Sequence, residues 1–274
     1  MSQLVANPHH NTLFLPGDRA CAEAVKAGPG SQISQVVLSN LPNWRKGVPQ
    51  MKDKRICGLT LILRKALSEE STNDRTLVDV VLEDEMIELM ETPGMGFCVG
   101  ARSGVARTIY TPCDSSFNTL RLRTYLWGYW RVTPLADGEP DRPTFIVSGV
   151  TDLKPGGYGP DHVVACGETA DDAARKKAAY VVNRLMDHVR ALELAANDVT
   201  RAHVYTSDLN RDIIRDHLIE AFPRLTLHGI TFVDAQTFYL STDARHEPPK
   251  LTIDVSAGNV LYERWNGEGN ELSS

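Results

Sequence analysis

The hydrophobic pattern predicts one long helix followed by a strand in the second half of the chain. Apolar residues recur at three- and four-residue steps from Ala174 to Leu192, which places them on one face of a helix. Asn197 interrupts this pattern, and residues 199–206 then alternate between apolar and polar side chains, which indicates a strand. A long one-sided helix beside a strand needs a sheet to cover.

The remainder of the second half continues this mixed pattern. We predict a helix over residues 211–222 and four more strands over residues 144–148, 162–166, 230–240 and 250–257, followed by a polar tail. The order β-β-α-β-α-β-β favours a mixed sheet with both helices on one face.

The first half has a less regular pattern. We predict strands over residues 33–41, 56–63 and 105–110, short helices over residues 19–27 and 77–90, and a glycine-rich turn between residues 96 and 104. An aromatic segment over residues 124–131 follows. We therefore expect a divergent α+β domain over residues 1–123 and a second domain over residues 124–274.

Composition narrows the class of protein. The 274 residues are 42% hydrophobic and carry a net charge of −6 without a block of like charges, which argues against a nucleic-acid partner. No apolar run approaches the length of a membrane span. Five widely spaced cysteines without a secretion signal favour reduced thiols and a cytoplasmic protein.

Common catalytic motifs are missing from the sequence. It contains no phosphate-binding Walker loop, no Gly-x-Ser-x-Gly elbow and no paired histidines at helical spacing. The eight histidines are scattered, so we expect neither a metal nor a cofactor. Residue types alone predict a pair of α+β domains and do not indicate which reaction, if any, the protein catalyses.

The second half resembles the Rid superfamily, the reactive-intermediate deaminases of imines and enamines, also called YjgF-like. The similar segments occur in the same order from residue 129 to about residue 255. They are Gly128-Tyr129, the strand ending in Ser148-Gly149, Asn183, residues 204–210, residues 220–222 and residues 251–255. The resemblance implies an α+β, chorismate-mutase-like fold, with a mixed sheet, helices on one face and a divergent half before it. One interpretation of that half is a degenerate Rid-like copy.

The resemblance also implies site residues. The family's last strand carries an acidic residue that handles water, which implies Asp254 as the catalytic acid and base. Tyr129 would close the pocket and hydrogen-bond the substrate. Ser148, with the Gly149 backbone, would hold a carboxylate or the water, and Asp216 lies where the family often has a pocket-side asparagine.

One departure from the family concerns substrate binding. The family's carboxylate-binding arginine starts the penultimate strand, where Gln236 is the nearest polar residue in this chain. An unpaired buried carboxylate is costly, so another cation is needed. We predict Arg131 or Arg123, which flank the aromatic segment, and Arg131 shares a strand face with Tyr129.

The function that the resemblance implies is a cofactor-free hydrolase of the deaminase type. It would convert a small carboxylated enamine or imine, such as 2-aminomuconate or a substituted 2-aminomuconate from aromatic-compound degradation, to a keto acid and ammonia. Two alternatives stay open: a chorismatase-like lyase or hydrolase, and a non-catalytic ligand-binding or regulatory protein. Rid-like domains resemble one another in forming trimers, and the uncovered face of a one-sided sheet needs a partner. We therefore expect a homotrimer.

Overall fold

The computed structural model describes residues 3–17, 22–38, 54–63, 98–99, 102–113, 124–155, 160–168, 170–237 and 250–264. The strands are, in chain order, β1 (Val5–Asn7), β2 (Thr12–Leu15), β3 (Glu23–Ala27), β4 (Ser31–Leu38), β5 (Ile56–Leu63), β6 (Cys98–Val99), β7 (Arg102–Ser103), β8 (Ala106–Pro112), β9 (Thr124–Pro134), β10 (Phe145–Thr151), β11 (Arg201–Tyr205), β12 (Ile230–Val233), β13 (Ala235–Thr237), β14 (Thr252–Ala257) and β15 (Asn259–Glu263). The helices are α1 (Ala170–Ala191), α2 (Arg211–Ala221) and α3 (Leu225–His228), with 3-10 turns at Pro160–His162 and Ala196–Asp198.

Two mixed sheets contain most of these strands. The first sheet has seven strands in the order β1-β2-β3-β10-β14-β11-β12, and only its β11–β12 pair is parallel. The second sheet has six strands in the order β13-β8-β5-β9-β4-β15, with β5–β8 and β4–β15 parallel. The pair β6–β7 forms a separate hairpin. The predicted α+β class, with a mixed sheet, is confirmed.

Helices α1 and α2 cover one face of the first sheet. The predicted apolar face of α1 is buried, and Val181, Leu185 and Val189 pack in one cluster with Val147 and Val255 of the sheet. Each such side chain contributes ~1.5–3 kcal/mol when it is fully buried. The Asn210 side chain caps α2 by accepting from the amides of the second and third helical residues.

The second sheet covers the opposite face of the first. The layer between the two sheets, here called the inter-sheet layer, has an apolar end that contains Phe14, Val25 and Ile146 of the first sheet and Ile33 and Trp130 of the second. The face for which we expected a subunit partner is therefore covered within the chain. The homotrimer stays a prediction, but an uncovered sheet face is no longer an argument for it.

Consecutive strands lie in different mixed sheets at five places, from β3 to β4, from β9 to β10, from β12 to β13, from β13 to β14 and from β14 to β15. Gly258 makes the crossing from β14 to β15 with a φ of +144°, and an added Cβ would lie 2.3 Å from the carbonyl oxygen of Ile33. Each sheet consequently contains strands from both sides of residue 123, so the predicted boundary between residues 123 and 124 does not separate the sheets.

Several predicted elements differ from the structure. The alanine-rich residues 19–27 were predicted to be helical, but Glu23–Ala27 is strand β3, because pairing with β2 and β10 outweighs the high helix propensity of the alanines. The predicted strand over residues 162–166 is wrong, since only one bridge joins Val163 to Leu153. The predicted polar tail begins with strand β15. The helix predicted over residues 77–90 lies outside the described residues.

Candidate active site

The inter-sheet layer has a polar end around Asp254. Ile253 and Val255 of β14 pack toward the helices, so Asp254 between them projects toward the second sheet. Only 4% of Asp254 is exposed. Asp254 also lies on an interior strand, between β10 and β11. Both its low exposure and its interior strand indicate that water is largely excluded from its position.

Three donors from three strands hold the Asp254 carboxylate. The Gly149 amide donates to Oδ1 at 2.7 Å, and the hydroxyls of Thr108 and Tyr205 donate to Oδ2 at 2.8 and 3.2 Å. Thr108 belongs to the second sheet, while Gly149 and Tyr205 belong to the first. A carboxylate has about four lone-pair positions, so the donors among the described residues occupy three of them.

A β-bulge places the Gly149 donor. The register between β10 and β14 shifts between Val147 and Val150, and Gly149 within the shift has a φ of +63°. The Ser148 hydroxyl of the same bulge donates to the carbonyl oxygen of Glu23 at 3.3 Å. The Ser148-Gly149 pair predicted as a site element thus lies beside Asp254, with the Gly149 amide as the group in contact.

Burial gives Asp254 the protonation behaviour of a catalytic acid and base. Desolvation raises the pKa of Asp254 to about 6, although the hydrogen bonds from Gly149, Thr108 and Tyr205 oppose the shift. Burial and the Asp254 charge also raise the pKa of Tyr205, which stays a protonated donor. A group with a pKa close to the working pH exchanges protons most efficiently, so Asp254 is suited to general acid–base chemistry.

His203 is the cross-strand neighbour of Asp254. The register pairs the two residues, and Arg201, His203 and Tyr205 share one face of β11. Burial, and then the Arg201 charge, lower the pKa of His203 to about 4, so its imidazole is neutral at physiological pH. No hydrogen bond to the imidazole is present within the described part of the chain.

Tyr129 and Arg131 lie on the far face of the second sheet. Trp130 between them packs in the inter-sheet layer, so its two neighbours project the other way. The Tyr129 hydroxyl donates to Glu263 at 2.8 Å and accepts from Lys54 at 2.9 Å. Arg131 pairs with the same Glu263 at 3.1 Å. The two residues share a face, as expected, but the structure does not bring them to Asp254.

The other predicted substrate-binding residues are also separated from Asp254 or undescribed. The Gln236 backbone pairs with Thr111 at the edge of the second sheet, and its side chain is outside the described set. Asp216 is exposed on α2. Arg123 lies outside the described residues.

Sequence reasoning missed three residues near Asp254: Thr108, His203 and Tyr205. The alternation along β11 was visible and placed two of these side chains on one face. The pairing of β11 with β14, which sets that face against Asp254, depends on partners about 50 residues apart. The contact from Thr108 depends on the packing of two sheets, for which the sequence has no local signal.

None of the helices in the described part of the chain is long and apolar enough to cross a membrane. Within the same ranges, no group of three or more histidine, cysteine, aspartate or glutamate side chains could hold a metal ion.

The fold and site define a class: an α+β protein of two sheets that holds a desolvated carboxyl group between them. The family profile described as 2-aminomuconate deaminase CnbZ matches residues 84–236, more than half of the 274 residues. The chain belongs to this family, which confirms the predicted resemblance to 2-aminomuconate-type deaminases. Gly149 and Arg201 lie within the match, and Asp254 lies beyond its end.

Comparison with solved structures and curated sequences adds two findings. The chain is similar to the crystal structure of Rv2704 from Mycobacterium tuberculosis, a member of the YjgF/YER057c/UK114 family. The identity is 16%, the TM-score is 0.27, and the match covers 46% of this chain and 98% of that one. No curated protein matches the chain by sequence.

Replacement of Gly149 with alanine tests the role of the bulge. The positive φ should cost ~1–2 kcal/mol of stability, and displacement of the amide should lower kcat/KM for the family's deamination reaction about tenfold. Gly138→Ala is the matched control, since Gly138 has a φ of +85° and open space around it. Denaturant unfolding should show similar losses for both variants, and kinetics a loss only for Gly149→Ala. Equal kinetic losses would contradict a role for the Gly149 amide.

Proposed function

We propose that this protein hydrolyses 2-aminomuconate, or a substituted 2-aminomuconate, to the corresponding 2-oxo acid and ammonia. The observation that carries the proposal is the buried Asp254, held by three donors and with a pKa raised to about 6. Membership of the 2-aminomuconate deaminase CnbZ family supports the choice of substrate.

The reaction requires water and proton transfer. The enamine tautomerises to an imine, whose carbon is electrophilic. Asp254 accepts a proton from water as the water oxygen bonds to that carbon, and protonated Asp254 passes this proton to the imine nitrogen, which gives a neutral carbinolamine. Asp254 then accepts the proton of the new hydroxyl group and passes it to the nitrogen, so that the C=O bond forms as the C–N bond breaks. One water is consumed, and one ammonia and one 2-oxo acid are released.

The surroundings of Asp254 favour each of these proton transfers. A carboxylate in a dry site has a higher pKa than in water, so it is a stronger base toward the attacking water. The Gly149, Thr108 and Tyr205 donors fix the carboxylate in one orientation, which lowers the entropic cost of aligning it with water and imine. The neutral imidazole of His203 adds no charge to compete with the substrate's carboxylates.

The direct test is an ammonia assay with purified protein and 2-aminomuconate, with the loss of substrate absorbance followed in parallel. We expect ammonia and 2-oxo acid in equal amounts, at an unchanged rate after dialysis against a chelator. Release of pyruvate from chorismate without ammonia release from 2-aminomuconate would instead identify the chorismatase-like alternative. Tight binding of 2-aminomuconate without turnover would identify the ligand-binding alternative.

A further inference from the structure

A buried ion pair between Glu23 and Arg107 lies in the inter-sheet layer. Val25 of β3 packs in this layer, so Glu23, two residues earlier on the same strand, faces the same way. Arg107 Nη2 lies 2.6 Å from Glu23 Oε1, and Arg107 Nε donates to Glu23 Oε2 at 3.2 Å. The Arg107 side chain is 0% exposed and that of Glu23 is 1% exposed. Because β3 and β8 belong to different sheets, the pair joins the two sheets.

Glu23 holds the strand that supplies the Thr108 hydroxyl to Asp254. The backbone amide of Arg107 donates to Glu23 Oε2 at 3.0 Å, in addition to the two bonds from its guanidinium. Arg107 directly precedes Thr108, whose hydroxyl donates to Asp254. The Glu23 carboxylate therefore fixes both the main chain and the side chain of the residue before this donor.

Glu23 also holds the β-bulge that supplies the Gly149 amide. The register pairs Glu23 with Ser148 as the last pair of the β3–β10 ladder, directly before the bulge. The Ser148 hydroxyl donates to the carbonyl oxygen of Glu23 at 3.3 Å. Gly149 is the next residue, and its amide donates to Asp254. One residue thus holds the neighbours of two of the three Asp254 donors, one donor in each sheet.

The charges of the ion pair lie within electrostatic range of Asp254. Strand β10 separates β3 from β14, so the Cα atoms of Glu23 and Asp254 are about 10 Å apart, which is two strand spacings. In the dry layer, a lone Glu23 carboxylate would repel ionised Asp254, and a lone Arg107 guanidinium would attract it. Because the two charges cancel, burial determines the pKa of Asp254, which is raised to about 6.

The other ionisable side chains near Asp254 belong to β11 and β8 in the described structure. Arg201, His203 and Tyr205 share its sheet face from β11, and Tyr110 of β8 lies against Tyr205 with ring centroids 4.7 Å apart. Burial raises the pKa of both tyrosines and lowers the pKa of His203 to about 4, so these three groups are neutral near pH 6. The charge of Arg201 is the same in every comparison below.

We propose that the Glu23–Arg107 ion pair is a positioning element of the active site, which fixes the Thr108 and Gly149 donors on Asp254 without adding a net charge beside it. The proposal deepens the proposed function and rests on it for the reaction that Asp254 catalyses. Glu23 and Arg107 act through Asp254 and its donors and make no contact with the substrate in this proposal.

The first test measures the ionisation of Asp254 without turnover. Carbon-13 NMR titration of the aspartate carboxyl groups, with the Asp254 signal assigned by its loss in Asp254→Asn, compares wild type with Glu23→Gln. The variant leaves Arg107 as an unpaired cation, which favours ionised Asp254, so the Asp254 titration should move to lower pH by about 1 pH unit. The double variant Glu23→Gln/Arg107→Met removes both charges and should return the titration toward that of wild type.

A second buried ion pair supplies the matched control. Lys177 and Asp152 are also at most 1% exposed, but they lie beside helix α1 and make no bond to an Asp254 donor. The double variant Asp152→Asn/Lys177→Met should therefore keep the Asp254 titration and the kcat/KM of wild type. If it shifted the titration as Glu23→Gln does, the effect would be a general consequence of losing a buried pair, and the proposal would be overturned.

Kinetics test the positioning role. In the deamination assay, Glu23→Gln/Arg107→Met should lower kcat/KM about tenfold, mainly through kcat, because the donors on Asp254 are held less firmly. The double variant buries no unpaired charge, so it decides the question even if Glu23→Gln does not fold. An unchanged Asp254 titration in folded Glu23→Gln, or wild-type kcat/KM in the double variant, would overturn the proposal. The expected titration shift in a protein that releases no ammonia would refute the proposed reaction and support the influence of the pair on Asp254.

Discussion

Replacement of Asp254 with asparagine is expected to lower kcat/KM for ammonia release from 2-aminomuconate by roughly 10²–10⁴-fold. Asparagine keeps the size of the side chain and can still accept the Gly149 amide, but it cannot accept a proton from water. KM should change little, because Asp254 acts on the water and the nitrogen and does not bind the carboxylates of the substrate. Steady-state kinetics at neutral pH measure both parameters.

The pH dependence of the wild-type enzyme tests the same assignment. Asp254 acts as a base in its ionised form, so kcat/KM should rise with pH through an apparent pKa near 6 and then level off. The residual kcat/KM of Asp254→Asn should not show this rise with pH. A wild-type profile that is flat between pH 5 and 7 would contradict Asp254 as the base.

Stability measurements separate this catalytic loss from a folding defect. The pKa of Asp254 is higher in the folded protein than in the unfolded chain, so its ionisation costs folded-state stability as pH rises from about 4 to 6. Asp254→Asn removes that cost. Relative to wild type, the variant should therefore gain up to about 3 kcal/mol of unfolding free energy between pH 4 and pH 7.

A control for Asp254→Asn comes from the surface. Asp187 is an exposed aspartate on α1, paired only with Arg190 at 3.5 Å in the described structure. Asp187→Asn should leave kcat/KM unchanged and shift stability by less than about 0.5 kcal/mol at any pH. If both variants lost activity equally, a specific role for Asp254 would be untenable.

Replacement of Lys177 with methionine is expected to destabilise the protein by about 3–5 kcal/mol. Lys177 Nζ donates to Asp152 at 2.5 Å and to the carbonyl oxygen of Val164 at 2.6 Å. Asp152 also accepts the amides of Lys250 and Leu251, so the pair joins helix α1 to the two residues that precede β14. Without Lys177, the Asp152 carboxyl group would be left buried without its cation.

The neighbouring lysine is a matched control for Lys177. Lys176 pairs with Glu168 at 2.6 Å, but its side chain is 58% exposed, so Lys176→Met should leave the stability close to that of wild type. Urea unfolding of both variants gives the comparison. A loss for Lys177→Met as small as that for Lys176→Met would show that the buried pair adds no net stability over an apolar side chain.

Local patterns explain why parts of the fold were predictable. Helix α1 was predicted because the spacing of its apolar residues repeats with the helical period, and β5 because its apolar run is short and continuous. These signals depend on residues within one element. Asp254 was selected through its position in a strand similar to the last strand of a known family, and the structure places it in a buried, hydrogen-bonded site.

Pairing between strands that are far apart in the sequence decided the other parts of the fold and the site. Residues 19–27 were expected to be helical, and only the pairing of β3 with β2 and β10 makes Glu23–Ala27 a strand. Tyr129 and Arg131 were grouped with Asp254, yet Trp130 occupies the inter-sheet face of β9 and leaves them on the other side. Strand residues alternate between the two faces of a sheet. A site assignment that ignores how two sheets pack can therefore select residues on the wrong face.

By itself, the sequence determined the class of fold, the long helix, the absence of familiar cofactor motifs and the family to which the chain belongs. Only the tertiary structure decided that Thr108, Tyr205 and the Gly149 amide surround Asp254. The physical reason is that helical periodicity depends on residues that are close together in the sequence. The environment of a buried carboxyl group is instead set by strands brought together from residues 108, 149, 205 and 254, whose mutual register no local pattern specifies.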